Sequence, residues 1–257
     1  MCEVFGVTAN RKVQLNNILR DFFSHSNEHP NGWGIATFEG NNVSIEKEAI
    51  RADKSTYLKG KLSDDVYAAN LFGHIRRATV GHESYLNTHP FCTMDSSGKM
   101  WTLMHNGTIF DAPVLDSYQY IQAGATDSER VLLYIVDRVN ERLNDPFDEF
   151  NDVDKFELID SIIYELADKN KFNLLFFDGE NMYVHKNVEN TMYLKEENGV
   201  SFFSTKPLDD ADWFEVEKNR LLVYRDGRLI YKGARHDYTY IEDPNRVKLL
   251  FLDYSNL

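Results

Sequence analysis

The sequence predicts an α+β fold in which two β-sheets lie between layers of helix. Two observations carry this. Apolar runs of strand length fill the front and back of the chain and two amphipathic helices lie between them, an order of strands, then helices, then strands that such a sandwich satisfies. The 257 residues are also 42% hydrophobic and 13% aromatic, enough for a sizeable core and too apolar for a disordered chain.

The chain opens on an apolar run at 2–7, read as a buried strand, and residues 11–23 set Leu15, Ile18, Leu19 and Phe22 at helical spacing. A polar stretch, 24–31, leads into the loop Asn31-Gly32-Trp33-Gly34. Strands at 35–38 and 43–48 are joined by a hairpin-type turn at Gly40-Asn41-Asn42. Further strands are expected at 70–76 and at 100–104, the latter running into His105-Asn106-Gly107. A helix starts near Asp127. Thr126 with Glu129 three residues on has the capping-box spacing, and Val131, Leu132, Ile135, Val136 and Val139 form its apolar stripe. A second helix follows Asp154, with Glu157 at the matching cap position and Phe156, Ile159, Ile162, Ile163 and Leu166 on its apolar face. The acidic stretch 144–154 reads as the loop between the helices. Strands at 172–177 and 182–186 flank Asp178-Gly179, strands at 192–195 and 200–204 follow, and 221–225 and 229–232 are joined at Asp226-Gly227. There is no repeat, low-complexity segment or linker, so residues 1–257 are read as a single domain.

Charge and composition exclude several classes. A net charge of −13 argues against a nucleic-acid surface, which needs clustered Lys and Arg. No apolar run is long enough to span a bilayer, and Met1-Cys2-Glu3-Val4-Phe5 lacks the basic and apolar regions of a secretory signal. Two cysteines, Cys2 and Cys92, cannot make a disulfide scaffold. The expected setting is the reducing cytoplasm, with neither nucleic acid nor membrane as partner. Six of the eight histidines fall between His25 and His105, but His25 and His29 lack a helical zincin pattern, so no metal is expected. No phosphate-cradling glycine loop is present, and no cofactor is expected.

Chemistry-bearing residues stand beside glycines at expected strand ends and loops, where a rigid scaffold can aim them. Removal of Met1 would leave the Cys2 thiol and a free α-amine on one residue, a nucleophile with its own proton acceptor. The alternative is an ordinary small residue near a terminus. Asn106-Gly107 is either a type I′ turn or an oxyanion hole built from a side-chain amide and a glycine N–H. Arg76 is either a surface ion-pair partner or a clamp on a substrate carboxylate. Asp127 either complements the positive helix end or pairs with a substrate ammonium group.

Six segments in order resemble the class II glutamine amidotransferase domain, an N-terminal-nucleophile hydrolase. They are Cys2, Asn31-Gly32-Trp33-Gly34, His74-Ile75-Arg76-Arg77-Ala78-Thr79, Asn87-Thr88-His89-Pro90, His105-Asn106-Gly107 and Thr126-Asp127-Ser128-Glu129, and they span about half the chain. The resemblance implies a four-layer αββα sandwich. It implies that Cys2 attacks the γ-carbonyl of glutamine, that Asn106 and Gly107 stabilise the oxyanion, that Arg76 holds the α-carboxylate with Thr79 lining the pocket, and that Asp127 binds the α-ammonium. Trp33 and Arg77 are then expected at the entrance. Three positions depart from the pattern: Asn31 stands where an Asp is usual, Val80 where a His is frequent, and Arg77 where an aromatic residue is. The segment 202–208 and the hairpin at Asp226-Gly227 are similar to short, stand-alone members. The expected substrate is a small γ-glutamyl amide such as glutamine, with an acceptor-domain protein as partner. A γ-glutamyl peptide or thiol conjugate is the alternative substrate, and an inactive binding or regulatory module the alternative class.

Overall fold

The computed structural model describes residues 2–147 and 149–243. Its elements run β1 (Glu3–Gln14), α1 (Asn16–Ser24), β2 (Trp33–Glu39), β3 (Asn42–Glu48), α2 (Thr56–Ser63), β4 (Tyr67–Ile75), β5 (Phe91–Met94), β6 (Met100–His105), α3 (Asp127–Leu143), α4 (Asp152–Ala167), β7 (Leu174–Phe177), β8 (Met182–His185), β9 (Tyr193–Glu197), β10 (Val200–Ser204), β11 (Phe214–Glu215), β12 (Leu222–Arg225) and β13 (Arg228–Lys232). One sheet has the order β11-β9-β10-β1-β4-β2-β3 and the other β13-β12-β8-β7-β6-β5. Neighbouring strands such as β1 and β4, or β6 and β7, pair antiparallel.

The two-residue period of the strands sorts side chains into three apolar layers. Val4, Phe72, Met104, Leu175, Phe177 and Phe203 pack between the sheets. Phe5, Val7 and Leu71 point outward from the first sheet onto Leu19 and Phe22 of α1 and Leu58 of α2. Leu103, Leu174 and Phe176 point outward from the second sheet onto Val131 and Ile135 of α3 and Ile159 and Ile163 of α4. The result is the expected αββα sandwich. Sequence neighbours such as Val4 and Phe5 therefore lie in different layers, which later decides what surrounds Cys2.

Helix starts follow their caps. Thr126 Oγ1 accepts Glu129 N–H at 3.2 Å, but the Glu129 carboxylate turns away to accept the N–H groups of Ala123 and Gly124 at 2.7 and 2.8 Å. Only half of the expected capping box forms there. For α4 the cap is Asn151 rather than Asp154: Asn151 Oδ1 accepts from Asp154 N, and Asp154 Oδ2 accepts from Asn151 N, so a reciprocal box starts the helix three residues early. The helix expected over 11–23 begins at Asn16, because β1 continues to Gln14 and pairs with β4 at Val13 and Gln14 beyond a register shift. Pairing with a distant strand overrides the local helical period. Helix α2 and strands β5 and β11 carry no comparable signal in the sequence and arise from their packing partners.

Candidate active site

The strand that carries Cys2 is fixed on both of its faces. Val4 N–H donates to Thr205 Oγ1 at 2.9 Å and Thr205 N–H donates to Val4 O at 3.1 Å, joining the start of β1 to the end of β10. On the helix-facing side Glu3, 1% exposed, meets His25 Nδ1 at 2.8 Å and Lys206 Nζ at 2.7 Å. His29 Nε2 lies 3.8 Å from the same carboxylate. Glu3 is thus a buried acid beside the nucleophile that the motifs did not single out.

By strand alternation Cys2 shares the face of Val4, the inter-sheet side. Its Sγ–H donates to Arg77 O and Arg77 N–H donates to Sγ, both at 3.4 Å. Burial pushes the thiol pKa up, the Asp127 carboxylate adds to this, and the Arg77 N–H and the Arg76 charge act against it. The resting group is therefore a thiol. Cys92, on β5, is also a free thiol.

Cys2, Arg76, Arg77, Thr79, His89, His105, Gly107 and Asp127 all line one narrow cleft of about 270 Å³ including its open mouth. A larger groove of about 990 Å³, again including its open mouth, between Tyr57, Lys61, Asp64 and Tyr67, holds none of the motif residues. Five of the six expected site residues thus meet in one place. Asn106 stands one position behind, 1% exposed and not on the cleft wall.

Asn106-Gly107 is not a hairpin turn. Asn106 N–H donates to Asn173 O at 2.9 Å and Thr108 N–H to Lys171 O at 2.9 Å, so the chain runs on beside 171–173. A Cβ at Gly107 would lie 1.9 Å from Lys171 O and 2.2 Å from His105 Nε2, which leaves no room for any side chain. The Asn106 amide reaches Thr205 Oγ1 at 3.5 Å through Nδ2, and its Oδ1 is buried with no partner among the described residues. Turning the amide by 180° would let the Thr205 hydroxyl donate to Oδ1 and free Nδ2 as a donor.

Arg76 is 2% exposed, and three of its five N–H groups are held by carbonyls: Val80 at 2.9 Å, Gly81 at 2.8 Å and His82 at 3.1 Å. It is neither a surface ion pair nor a wholly free clamp; it folds the 80–82 loop around itself. Asp127 is similarly engaged: Oδ2 accepts Ile109 N–H at 2.8 Å and Oδ1 accepts Ser128 N–H at 2.9 Å. Thr79 Oγ1 contacts Thr108 Oγ1 at 3.4 Å.

His105 packs on the opposite face of β6 from Asn106. Burial pushes its pKa down, so the ring is neutral; with Nε2 against Lys171 O at 3.1 Å that nitrogen carries the hydrogen, and Nδ1 accepts from Ser128 Oγ–H at 3.0 Å. His74 and His89 stack with centroids 4.2 Å apart, and burial keeps both neutral as well. Arg76 is then the permanent cation among the groups that line the cleft beside Cys2, with Arg77 at its rim.

The remaining motifs hold these loops together. Asn87 Nδ2–H donates to His82 O at 2.9 Å while its Oδ1 accepts Ala125 N–H at 2.7 Å, tying the Arg76 loop to the start of α3. Lys47 donates to Thr88 O at 2.6 Å and Pro90 O at 3.2 Å, and burial lowers its pKa to about 8. Gly34 is a glycine because a Cβ there would lie 2.1 Å from His89 O. Asn31 keeps the acceptor role open to an Asp, taking Ala78 N–H at 2.9 Å, but its Nδ2 donates to Glu83. The Asn therefore suits its neighbour, since an Asp would set two carboxylates against each other. Trp33 corrects an expectation: it is fully buried on the helix-facing side, donating to Glu48 at 3.0 Å, and has no place at the entrance, whereas Arg77 is exposed at the rim. Thr205 and Glu3 are the surroundings that the motifs did not reveal, whereas Ser128 stood inside one of them; strand alternation alone could have pointed to Glu3.

Residues 1–197 match the family model of the class-II glutamine amidotransferases. A protein of Methanocaldococcus jannaschii is 30% identical over 272 residues, covering 91% of this chain and 72% of its own. A crystal structure described as a predicted glutamine amidotransferase from Pseudomonas aeruginosa superposes with a TM-score of 0.64 at 20% identity, over 90% of this chain and 100% of that one. The glutamine phosphoribosylpyrophosphate amidotransferase of B. subtilis gives a TM-score of 0.65 at 20% identity, and this chain spans 49% of that enzyme. The two structures agree with the sandwich as a fold.

Proposed function

Because the chain belongs to the class II glutamine amidotransferases, we propose that it cleaves a γ-glutamyl amide through a thioester on Cys2. One observation carries the reading: Cys2, Gly107, Arg76, Thr79 and Asp127, drawn from four separate segments, line a single cleft. The reaction needs the α-amine of Cys2, exposed once Met1 is removed; Met1 itself lies outside the described residues. The Cys2 thiol gives its proton to that amine as sulfur attacks the γ-carbonyl carbon, which avoids a standing thiolate in a buried setting. The oxyanion that forms takes hydrogen bonds from Gly107 N–H and from the turned Asn106 amide. The C–N bond then breaks, the amine side leaves with the proton from the α-ammonium, and a thioester remains. Water attacks the thioester, its proton returns to sulfur, and glutamate is released.

The head of the substrate carries a carboxylate and an ammonium, and Arg76 and Asp127 supply the opposite charges. Glutamine is the substrate the family suggests, with ammonia passed to an acceptor domain or protein partner. Kinetics of the purified protein on glutamine, γ-glutamyl anilide and glutathione test the reading, with Cys2→Ala as control. Hydrolysis that requires Cys2 supports it; equal rates for wild type and Cys2→Ala would exclude the thioester. Hydrolysis that begins only when an acceptor protein is added would identify a glutaminase subunit.

A further inference from the structure

The groups that line the cleft do not balance in charge. Arg76 and Arg77 are cations, His89 and His105 are neutral, and Asp127 is the one acid among the described residues that line it. The head of an amino acid carries one carboxylate and one ammonium, which Arg76 and Asp127 match. The charge of Arg77 is left over. Arg77 is exposed, and its guanidinium has no acceptor among the described residues; its hydrogen bonds are those its backbone makes to Cys2. Other arginines near the surface of this chain, whose net charge is −13, have carboxylate partners: Arg225 has Asp152 at 2.6 Å and Arg220 has Glu217 at 3.3 Å. An aromatic residue, usual at position 77, would bring no such charge. Depth sets the direction of the substrate. Arg76 is 2% exposed and Asp127 8%, so the head goes to the buried end of the cleft. Arg77 N–H and Arg77 O each lie 3.4 Å from Cys2 Sγ, so this exposed residue borders the reacting sulfur at the open end.

We propose that Arg77 is a specificity-determining residue that selects γ-glutamyl compounds whose amine side carries a carboxylate. The proposal rests on the γ-glutamyl reading above. With the head at Arg76, Thr79 and Asp127 and the γ-carbonyl on Cys2, the substrate runs from the buried end of the cleft to its mouth. The group on the scissile nitrogen then emerges beside Arg77. In glutamine that group is hydrogen alone, and the Arg77 charge stays unmatched. In a γ-glutamyl amino acid the nitrogen bears a carbon that carries a carboxylate, and the planar fork of an arginine can take both of its oxygens. No protein carboxylate among the described residues has to be displaced first. The mouth is open to water, so screening keeps the effect modest and makes it depend on salt.

The test compares γ-glutamylglycine, which has the leaving-group carboxylate, with γ-glutamylglycinamide, which lacks it, on wild type, Arg77→Met, Arg77→Lys and Arg77→Glu. The expected ratio of kcat/KM in wild type at low salt is about 5-fold in favour of the acid. It should fall toward one at about 1 M salt, where charges are screened beyond ~3 Å. Arg77→Met should bring the ratio near one, Arg77→Lys should keep part of it, and Arg77→Glu should invert it, which a merely structural role would not do. Each variant keeps the backbone N–H and carbonyl that meet Cys2, and labelling of Cys2 by an electrophilic glutamine analogue checks that its cleft is intact. Where turnover is too slow to follow, protection of Cys2 from that label by each dipeptide reads the same ratio. A ratio of one in wild type at low salt, or a ratio that Arg77→Glu leaves unchanged, overturns the subsite alone. No turnover of either dipeptide or of glutamine, together with no labelling of Cys2, overturns the γ-glutamyl reading and the subsite with it.

Discussion

Val4 and Thr205 exchange two hydrogen bonds, Val4 N–H to Thr205 Oγ1 at 2.9 Å and Thr205 N–H to Val4 O at 3.1 Å. The pair locks the start of β1, and so Cys2, to the end of β10, and the same hydroxyl faces the Asn106 amide. Thr205→Val keeps the shape but removes the oxygen, leaving the Val4 N–H without its acceptor. The expected cost is about 1–3 kcal/mol, read as a lower midpoint in urea, together with a fall in kcat as the nucleophile strand loosens.

Asn106→Ala should lower kcat roughly 100-fold or more with a smaller change in KM, because the amide acts on a charge that exists only in the transition state and the tetrahedral intermediate. Gly107→Ala should lose both activity and thermal stability, since its methyl group would fall 1.9 Å from Lys171 O and the backbone must shift. A normal rate in folded Asn106→Ala would remove the amide from the mechanism.

An electrophilic glutamine analogue should label Cys2 and spare Cys92, although Cys92 is the more exposed thiol. Burial pushes both thiols up, so recognition by the cleft rather than acidity makes the choice. Peptide mapping after labelling reads it directly.

Asp178 is fully buried and takes Lys155 Nζ at 2.7 Å, Tyr183 Oη–H at 2.8 Å and Asn181 N–H at 2.6 Å. Lys155 is 7% exposed. Asp178→Ala leaves the Tyr183 hydroxyl without its acceptor and Lys155 with Asp152 alone, 3.3 Å away, and should destabilise the fold by about 3–5 kcal/mol, measured by chemical denaturation.

His185 and His236 form a relay in which both rings are neutral. Tyr238 N–H donates to His236 Nδ1 at 3.2 Å, His236 Nε2–H to His185 Nε2 at 3.0 Å, and His185 Nδ1–H to Phe172 O at 2.8 Å. A further proton breaks one of these bonds. Burial first, and for His185 also the neighbouring His236, lowers the folded pKa values to about 3 for His185 and about 4 for His236. An unfolded histidine titrates near ~6.5, so between ~6.5 and these values the unfolded chain binds more protons. Stability from the pair is complete above pH ~6.5 and is lost as pH falls toward about 4 and then about 3. His236→Asn should flatten that part of the melting temperature against pH, and hydrogen exchange at 234–243 should rise in the same window.

Much of the fold was legible in local pattern. Strand alternation and the helical stripe at Val131 to Val139 separated the layers, and Thr126 located the start of α3, because these signals depend on near neighbours. The ordered segments named the cleft residues, and Cys2, Arg76, Thr79, Gly107 and Asp127 do converge. Non-local pairing decided the rest. It extended β1 to Gln14, placed Trp33 inside, and set Asn106 one step behind the cleft wall. It brought Thr205 to the start of β1 from the far half of the chain, whereas the three carbonyl partners of Arg76 come from its own loop at 80–82. Period and motif report what each residue can do; only the pairing of distant strands decides which face it occupies and which groups meet it there.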